Sequence, residues 1–388
     1  MITPTVDCAL KGDRLFQSQP YRFHARGVYR SNSMRPVRLG FIGLGQIPSI
    51  AHLPALEPLV ERGEVLFQAF CDVDASLLKK QVDTYRPENA YSNHREMLDK
   101  EELDAVYLCV PPTLHTDELL ISVGKGLAVF VEKPQSLEMA KAVDYNRAVQ
   151  KAGVLSQVGF VNRYEPAAEV ARELLAGRTI RHLLNQEINP GKPLRYWTSR
   201  YALGGGSFVE NTIHRVDLLR YLTGTNYSAV SAFYVGRKAD EGPEPMNLPH
   251  VYNVNYRFNS GITANTTTSR VMYGSGRTQR RLLIVSDDSL IEWSSTKIIE
   301  NGQTVWESEG HDNAFALQAQ AFVAAVQNGD ASKTLSPYGD ALNSLAAALG
   351  ANLSAEQGGE LVRVADLISG RINYQVPPSD EAEVPSFL

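Results

Sequence analysis

Cysteine is scarce in this sequence of 388 residues, which contains three, Cys8, Cys71 and Cys109. None of them forms a Cys-x-x-Cys pair or stands at a zinc-ligand spacing from a histidine, which argues against a disulfide framework and a structural metal site. Long apolar runs and the apolar core of a secretory signal are also lacking. These absences predict a protein of the cytoplasm, without a membrane partner.

Charge of one sign does not dominate either. The 38 Lys and Arg residues are balanced by 43 Asp and Glu residues, for a formal net charge of −5. No basic run interleaved with aromatic residues appears, so the electrostatic footprint of a DNA- or RNA-binding protein is missing. With 43% hydrophobic residues, a chain of this length has enough material for two domains with substantial cores.

The region from Val37 to Lys151 alternates between strand-like and helix-like segments at short spacing. This rhythm predicts right-handed crossovers and a parallel sheet covered by helices on both faces, a doubly wound α/β domain. The predicted strands are Val37–Ile42, Val65–Cys71, Ala105–Val110, Ala128–Val131 and Ser156–Phe160, and the predicted helices are Ser49–Glu61, Ala75–Thr84, Thr116–Lys125 and Leu137–Lys151.

The second half has a different pattern. Helices are predicted at Ala167–Ala176, His214–Leu222, Ala314–Asn328 and Pro337–Glu356, and six alternating segments between Val230 and Glu307 predict a large, mainly antiparallel open sheet. We therefore expect three regions: an N-terminal extension over 1–33, a dinucleotide-binding domain over 34–155, and an α+β domain for substrate binding and oligomerisation over 156–388. The extension lacks a sustained period, which is typical of a flexible arm or a strand that clasps a dimer partner.

A glycine-rich turn follows the first predicted strand and opens the first helix, with the sequence Gly43-Leu44-Gly45-Gln46-Ile47-Pro48. In this context, glycines let the backbone N–H groups of Gly43, Gly45, Gln46 and Ile47 approach a pyrophosphate, as in a Rossmann fold. Asp72, at the end of the second strand, is predicted to bind the ribose hydroxyls. Its negative charge repels a 2′-phosphate and favours NAD, while the nearby Lys79 and Lys80 leave NADP open.

Three further motifs follow in order: Val110-Pro111-Pro112-Thr113-Leu114-His115, Glu132-Lys133-Pro134, and the segment Gly204–Asp217 that opens a helix. With the glycine turn, they resemble the motifs of the Gfo/Idh/MocA family of oxidoreductases, named after glucose–fructose oxidoreductase, inositol dehydrogenase and a rhizopine-catabolism protein. The resemblance covers about residues 36–375. It implies an N-terminal Rossmann domain and a C-terminal domain whose open sheet forms the interface of a homodimer or homotetramer.

The resemblance also implies a catalytic group made of Lys133, Glu210 and His214. Oxidation of a secondary alcohol needs an acceptor for the O–H proton near neutral pKa. We expect His214 to accept that proton, Lys133 to polarise the substrate oxygen, and Glu210 to orient both. The family usually has Asp where this chain has Glu210, and the extra methylene displaces the carboxylate.

Other residues are assigned through the same motifs. Pro111, Thr113, His115, Glu132 and Lys133 are expected beside the cofactor, and Arg163, Asn211 and His214 are expected to contact the substrate. Asp217, one helical turn after His214, is either a structural partner or a catalytic group. No metal is expected, because His115 has no second ligand at a useful spacing.

The sequence thus predicts an NAD(P)-dependent oxidoreductase that acts on a hydroxyl or keto group of a sugar, nucleotide sugar or cyclitol. Two alternatives stay open: redox-neutral, NAD-dependent cleavage of a glycoside, and a non-enzymatic sensor that binds the dinucleotide. The presence of both Lys133 and His214 speaks against a sensor, which needs no proton acceptor.

Overall fold

A computed structural model of the chain describes residues 35–190, 197–236, 248–272, 278–310 and 313–377. The predicted extension over 1–33 lies outside these residues. Within them, no helix combines the length and the apolar character that a membrane crossing requires.

The first half of the chain forms a six-stranded sheet of order β3-β2-β1-β4-β5-β6 in which every pairing is parallel. Its strands are β1 (Val37–Ile42), β2 (Val65–Cys71), β3 (Asn89–Tyr91), β4 (Ala105–Leu108), β5 (Ala128–Val131) and β6 (Ser156–Val158). The central strands β4 and β5 are buried along their whole length, as near-continuous apolar runs covered on both faces should be. The predicted doubly wound sheet is confirmed. β6 joins it just beyond residue 155, and the domain boundary there stays a prediction.

The helices around this sheet are α1 (Leu53–Glu61), α2 (Ala75–Tyr85), α3 (His94–Lys100), α4 (Glu118–Gly124) and α5 (Met139–Ala152). The helix expected from Ser49 does not begin as an α-helix. Residues Pro48–His52 instead form a π-helical turn, a rare and wider geometry that commonly lies at functional sites.

The second half forms a nine-stranded mixed sheet of order β14-β13-β12-β11-β7-β10-β9-β8-β15. Its strands are β7 (Ile180–Ile188), β8 (Tyr227–Val235), β9 (Val251–Phe258), β10 (Thr263–Ser269), β11 (Gln279–Ser286), β12 (Leu290–Trp293), β13 (Lys297–Glu300), β14 (Gln303–Glu307) and β15 (Val362–Arg363). All pairings are antiparallel except that of β7 with β10. The predicted open, mainly antiparallel sheet is confirmed, although β7, one of its inner strands, was not predicted.

Six more α-helices are described: α6 (Pro166–Leu175), α7 (Tyr201–Gly204), α8 (Ile213–Thr223), α9 (Ala314–Asn328), α10 (Tyr338–Glu356) and α11 (Val364–Ile368). α10 packs on β8 and is almost wholly buried from Ala341 to Ser354. α9 returns to the first half of the chain, where Phe322 packs edge-on against Tyr107 at 5.5 Å and Phe130 at 5.7 Å between ring centres. The two halves therefore share a core.

Candidate active site

The two glycines of the predicted phosphate-binding turn have different surroundings. Gly43 has φ of +86°, and a Cβ there would lie 2.6 Å from the carbonyl oxygen of Cys109, so no side chain fits. A Cβ at Gly45 would have nothing within 4 Å. Gln46, which follows, is exposed. The turn is thus closed towards the sheet at Gly43 and open at Gly45, which leaves room for a phosphate group to approach the backbone.

Asp72 lies beside this turn, as its position at the end of β2 predicts. One of its carboxylate oxygens accepts the N–H of Leu44 at 2.7 Å and the other accepts the N–H of Asp74 at 2.9 Å. Its role towards a ribose stays a prediction. The next residue, Val73, is 89% exposed and was not singled out in the sequence. The sequence feature that could have indicated Val73 is an apolar residue between two aspartates at the end of a strand.

Lys133 and Glu210 come together from the two halves of the chain. The Nζ of Lys133 donates to the backbone carbonyl of Glu210 at 2.6 Å and lies 3.5 Å from its Oε1. Their side chains are 8% and 11% exposed. Glu210 lies in the π-helical turn Phe208–Thr212, immediately before α8. This is the second such turn in the described part of the chain, and it carries a predicted catalytic residue.

His214 lies in the first turn of α8 and is half-buried, with its ring edge-on to Phe160. Its Nδ1 is buried without a hydrogen-bond partner among the described residues. Burial, and then the positive charges of Lys133 and Arg215, hold the pKa of His214 well below its ordinary value of 6.5. The imidazole is therefore neutral at neutral pH and able to accept a proton.

Glu210 does not contact His214 in the way that the sequence suggests. It contacts Lys133, and no hydrogen bond joins it to His214 within the described ranges. The predicted orientation of Lys133 by Glu210 thus has a direct contact to support it, and that of His214 has none.

Glu132, predicted beside the cofactor, has its carboxylate turned towards a residue that the sequence did not single out. Its Oε1 lies 2.6 Å from Nε2 of His52, and its Oε2 accepts the backbone N–H of Lys133 at 3.1 Å. The sequence feature that could have indicated His52 is a polar side chain on the otherwise apolar face of the first predicted helix.

His115 is buried, with its Nδ1 2.5 Å from Oε1 of Glu118. Pro111, on the same loop, is half-buried and Thr113 is exposed. Contact of the cofactor with Pro111, Thr113 and His115 stays a prediction.

One group of potential metal ligands, His94, Asp117 and Glu118, occurs in the described part of the chain. These side chains are already hydrogen-bonded: Asp117 lies 2.8 Å from His94 and 2.9 Å from Arg95, and Glu118 binds His115. A hydrogen-bond network accounts for their proximity.

Arg163, predicted to contact the substrate, is 5% exposed. Its Nε and Nη2 each donate to Asp217 at 2.6 Å, and its Nη1 lies 2.8 Å from Asp340. The guanidinium is thus largely occupied by a buried ion-pair network. Asp217 is accordingly a structural partner, the first of its two predicted roles. Asn211 is half-buried, and its side chain makes no hydrogen bond with any described residue, so it is free to bind another molecule.

The glycine run before Glu210 is held by residues that the sequence did not indicate. Tyr252 accepts the N–H of Ser207 at 3.0 Å, and Asn352 donates to the carbonyl of Gly205 at 2.9 Å. Gly205 and Gly206 have φ of +71° and +82°, and a Cβ at Gly206 would lie 2.8 Å from the Tyr252 hydroxyl. Glycine is therefore required here by both conformation and space.

Two family models match the chain. Residues 37–160 match the model described as an oxidoreductase family with an NAD-binding Rossmann fold, and residues 173–291 match the GFO/IDH/MocA C-terminal domain. Together these matches span more than half of the sequence.

Among curated proteins, scyllo-inositol 2-dehydrogenase (NAD(+)) of Bacillus subtilis is 28% identical over 60% of this chain and 70% of its own length. Myo-inositol 2-dehydrogenase of Thermotoga maritima is 29% identical over 50% of this chain and 58% of its own length, less than two thirds of that relative.

Solved structures share the fold at lower identity. A levoglucosan dehydrogenase in complex with NADH and L-sorbose has a TM-score of 0.74 at 17% identity, over 85% of this chain and 99% of that one. The WlbA dehydrogenase of Bordetella pertussis, in complex with NADH and UDP-GlcNAcA, has a TM-score of 0.72 at 19% identity, with the same coverage.

Proposed function

The chain belongs to the Gfo/Idh/MocA oxidoreductase family, and from this premise we propose that it is an NAD-dependent dehydrogenase of a sugar, nucleotide sugar or cyclitol. It acts on a secondary hydroxyl group or, in reverse, on the keto group. The observation that carries the proposal is the meeting of Lys133, from the end of β5, with Glu210, one helical turn before the neutral His214. Relatives named as inositol dehydrogenases support the substrate class.

The glycine turn fits a dinucleotide. Space at Gly45 admits a pyrophosphate to the backbone N–H groups of Gly45, Gln46 and Ile47, whereas the N–H of Gly43 donates to the carbonyl of Cys71 at 2.9 Å and its glycine serves the turn itself. Asp72 is anchored beside the turn and binds the ribose hydroxyls, and its charge favours NAD over NADP. Pro111, Thr113 and His115 complete the cofactor side of the site. A nicotinamide bound there would supply the acceptor for the hydride of the substrate carbon, or its donor in the reverse direction.

The remaining chemistry belongs to the side chains. His214 accepts the hydroxyl proton at Nε2, since its Nδ1 is buried, and its lowered pKa keeps the imidazole neutral at neutral pH. Lys133 donates a hydrogen bond to the substrate oxygen and stabilises the negative charge that develops on it. Glu210 orients Lys133 through its carbonyl and its carboxylate. Asn211 binds a neighbouring hydroxyl, and Arg163 supports the site from within the core.

The protein acts as a cytoplasmic homodimer or homotetramer, assembled through the face of the nine-stranded sheet opposite α10. Phe233 and Val235 of β8 support this arrangement, because they are 60% and 54% exposed on that face.

The experiment is to mix the purified protein with NAD or NADP and a panel of inositols, anhydrosugars, sugars and nucleotide sugars, and to follow the absorbance of reduced nicotinamide. A Lys133→Met variant, which keeps the length of the side chain and loses its charge, serves as the control. We expect turnover with NAD and at least one polyol, lowered by about 10²-fold or more in the variant.

Three other outcomes would contradict the proposal. Equal turnover in the variant would remove Lys133 from the mechanism. Cleavage of a glycoside with cofactor that never exchanges would favour the redox-neutral reaction, and dinucleotide binding without turnover across the panel would favour the sensor.

A further inference from the structure

A buried histidine joins the helix of the glycine turn to the Glu-Lys-Pro motif. His52 is 2% exposed, and its Nε2 lies 2.6 Å from Oε1 of Glu132, whose side chain is 11% exposed. We infer that His52 is a positioning residue for Lys133, which it acts on through Glu132. This inference deepens the proposed dehydrogenase function and rests on it for its consequence in catalysis.

His52 is held rigidly at the end of the π-helical turn Pro48–His52. Its ring packs against those of Tyr107, Phe130 and Phe315, with ring centres 5.5, 5.0 and 5.7 Å away. In such apolar surroundings a hydrogen bond is stronger than in water, and the packed rings prevent the imidazole from turning away.

Glu132 is fixed from three directions. His52 binds Oε1, the backbone N–H of Lys133 binds Oε2, and Gly159 closes the remaining side, because a Cβ there would lie 2.7 Å from Oε1. The carboxylate that His52 orients is therefore hydrogen-bonded directly to the backbone of Lys133. That backbone sets where the Lys133 ammonium group meets Glu210.

The same π-helical turn also contacts the glycine turn. Ser49 donates to the carbonyl oxygens of Leu44 at 2.9 Å and Gly45 at 2.7 Å. Five consecutive residues thus contact the predicted pyrophosphate site at one end and the neighbour of Lys133 at the other. Apolar residues of similar size commonly fold as well as a buried polar pair, so core stability alone does not call for a His–Glu pair here.

The test compares His52→Gln with His52→Asn. The amide nitrogen of Gln lies near the position of Nε2, the atom that binds Glu132, whereas the amide of Asn ends near the position of Nδ1. We expect His52→Gln to keep kcat within about threefold. His52→Asn should lower kcat by about 10²-fold, the cost of a misplacement of about 1 Å, with KM for NAD changed less than about twofold.

A second readout needs no substrate. Lysine labelling by acetic anhydride, followed by mass spectrometry, reports how protected the Lys133 side chain is, with the 75% exposed Lys79 as internal reference. We expect Lys133 labelling several times faster in His52→Asn than in the wild type and His52→Gln, with Lys79 unchanged. Adding His52→Asn to a Glu132→Ala variant should produce no further change in Lys133 labelling, because Glu132→Ala already removes the carboxylate through which His52 acts on Lys133.

The outcomes separate the two proposals. Faster labelling of Lys133 in a protein without turnover would sustain the positioning role and reject the dehydrogenase function. Turnover in the wild type, with equal kcat and equal labelling in both variants, would reduce His52 to a core residue. A loss of kcat in both variants, in proportion to the fall in their thermal midpoints of unfolding, would also reduce His52 to a core residue.

Discussion

At the scale of single residues, one motif contains two glycines that are needed for different reasons. Gly43 has a left-handed backbone and lies against the carbonyl of Cys109, so folding itself requires it. Gly45 has open space in front of it, so folding does not. The requirement at Gly45 comes from the ligand that the turn would hold.

We predict that Gly43→Ala and Gly45→Ala separate these two requirements. Gly43→Ala should destabilise the fold by about 1–3 kcal/mol through backbone strain alone, and by more through overlap with Cys109. Gly45→Ala should leave the free energy of unfolding unchanged and weaken NADH binding. Urea denaturation and NADH fluorescence titration measure the two effects. Unweakened binding in Gly45→Ala would show that the pyrophosphate does not approach there.

The lowered pKa of His214 leads to a second residue-scale prediction. Because the neutral imidazole is the proposed proton acceptor, kcat/KM for alcohol oxidation should stay constant as the pH falls through 6.5 and decline only well below it. The unfolded chain protonates this histidine near pH 6.5 and the folded chain does not. His214 therefore lowers stability progressively below pH 6.5 and has no such effect above it.

The pH dependence of kcat/KM, with His214→Gln as control, checks this prediction. An acid limb centred above pH 6.5 in the wild type would contradict it. The control should lose most of its activity, so a profile unchanged by His214→Gln would assign the acid limb to another group.

At the scale of elements, the position of Glu210 depends on strands and helices that are distant in the sequence. The glycine run before it receives a hydrogen bond from Asn352 of α10 and gives one to Tyr252 of β9. Asn352 also accepts the hydroxyl of Tyr234, from β8. These contacts set the start of the π-helical turn that carries Glu210 towards Lys133.

We predict that Tyr252→Phe lowers kcat by about tenfold, because the N–H of Ser207 loses its acceptor and the turn shifts. Tyr256→Phe is the matched control: Tyr256 points to the same face of β9, and its buried hydroxyl has no hydrogen-bond partner within the described residues. Removal of the Tyr256 hydroxyl should leave the stability of the fold unchanged or raise it slightly. Steady-state kinetics and thermal unfolding of both variants provide the comparison. An equal change in kcat in the two variants would mean that the hydroxyl of Tyr252 does not position the turn that carries Glu210.

At the scale of the whole molecule, the nine-stranded sheet has helices packed on one face and a polar-apolar mixture on the other. Phe233 pairs across the strands with Asn253, and Asn253 with Thr267, so a row of uncharged side chains crosses the face opposite the one that packs on α10. Such a row is suited to contact a second copy, because none of these three side chains carries a charge.

We predict that the native mass in solution is a multiple of the 42.8 kDa chain and that Phe233→Glu shifts the protein towards the monomer. The buried charge would lack a partner in the interface. Leu120→Glu is the control, since Leu120 is 43% exposed on α4, away from the sheet. Analytical ultracentrifugation of the three proteins decides the matter, and an unchanged mass in Phe233→Glu would place the interface elsewhere.

Much of the fold could be predicted from local sequence patterns. The bounds of β1, β2, β5 and α9 agree residue for residue with the predicted ones. These elements bury apolar side chains in a strict period or a continuous run, so their own sequence states which face is covered. The glycine turn and its aspartate were also foreseeable, because strand ends of a parallel sheet meet at one edge.

What the sequence left undecided depends on contacts between distant segments. β7 was missed because two of its buried residues, Asn185 and Glu187, are polar, and Glu187 finds its hydrogen-bond partner in Arg215 of α8. The two π-helical turns have no local signature. His52 and Glu132 are 80 residues apart, and no local pattern indicates that the fold brings them together. The sequence by itself determined the motifs and the layers. Only the tertiary structure decided which polar groups are paired and which stay free, because pairing depends on packing across the two sheets.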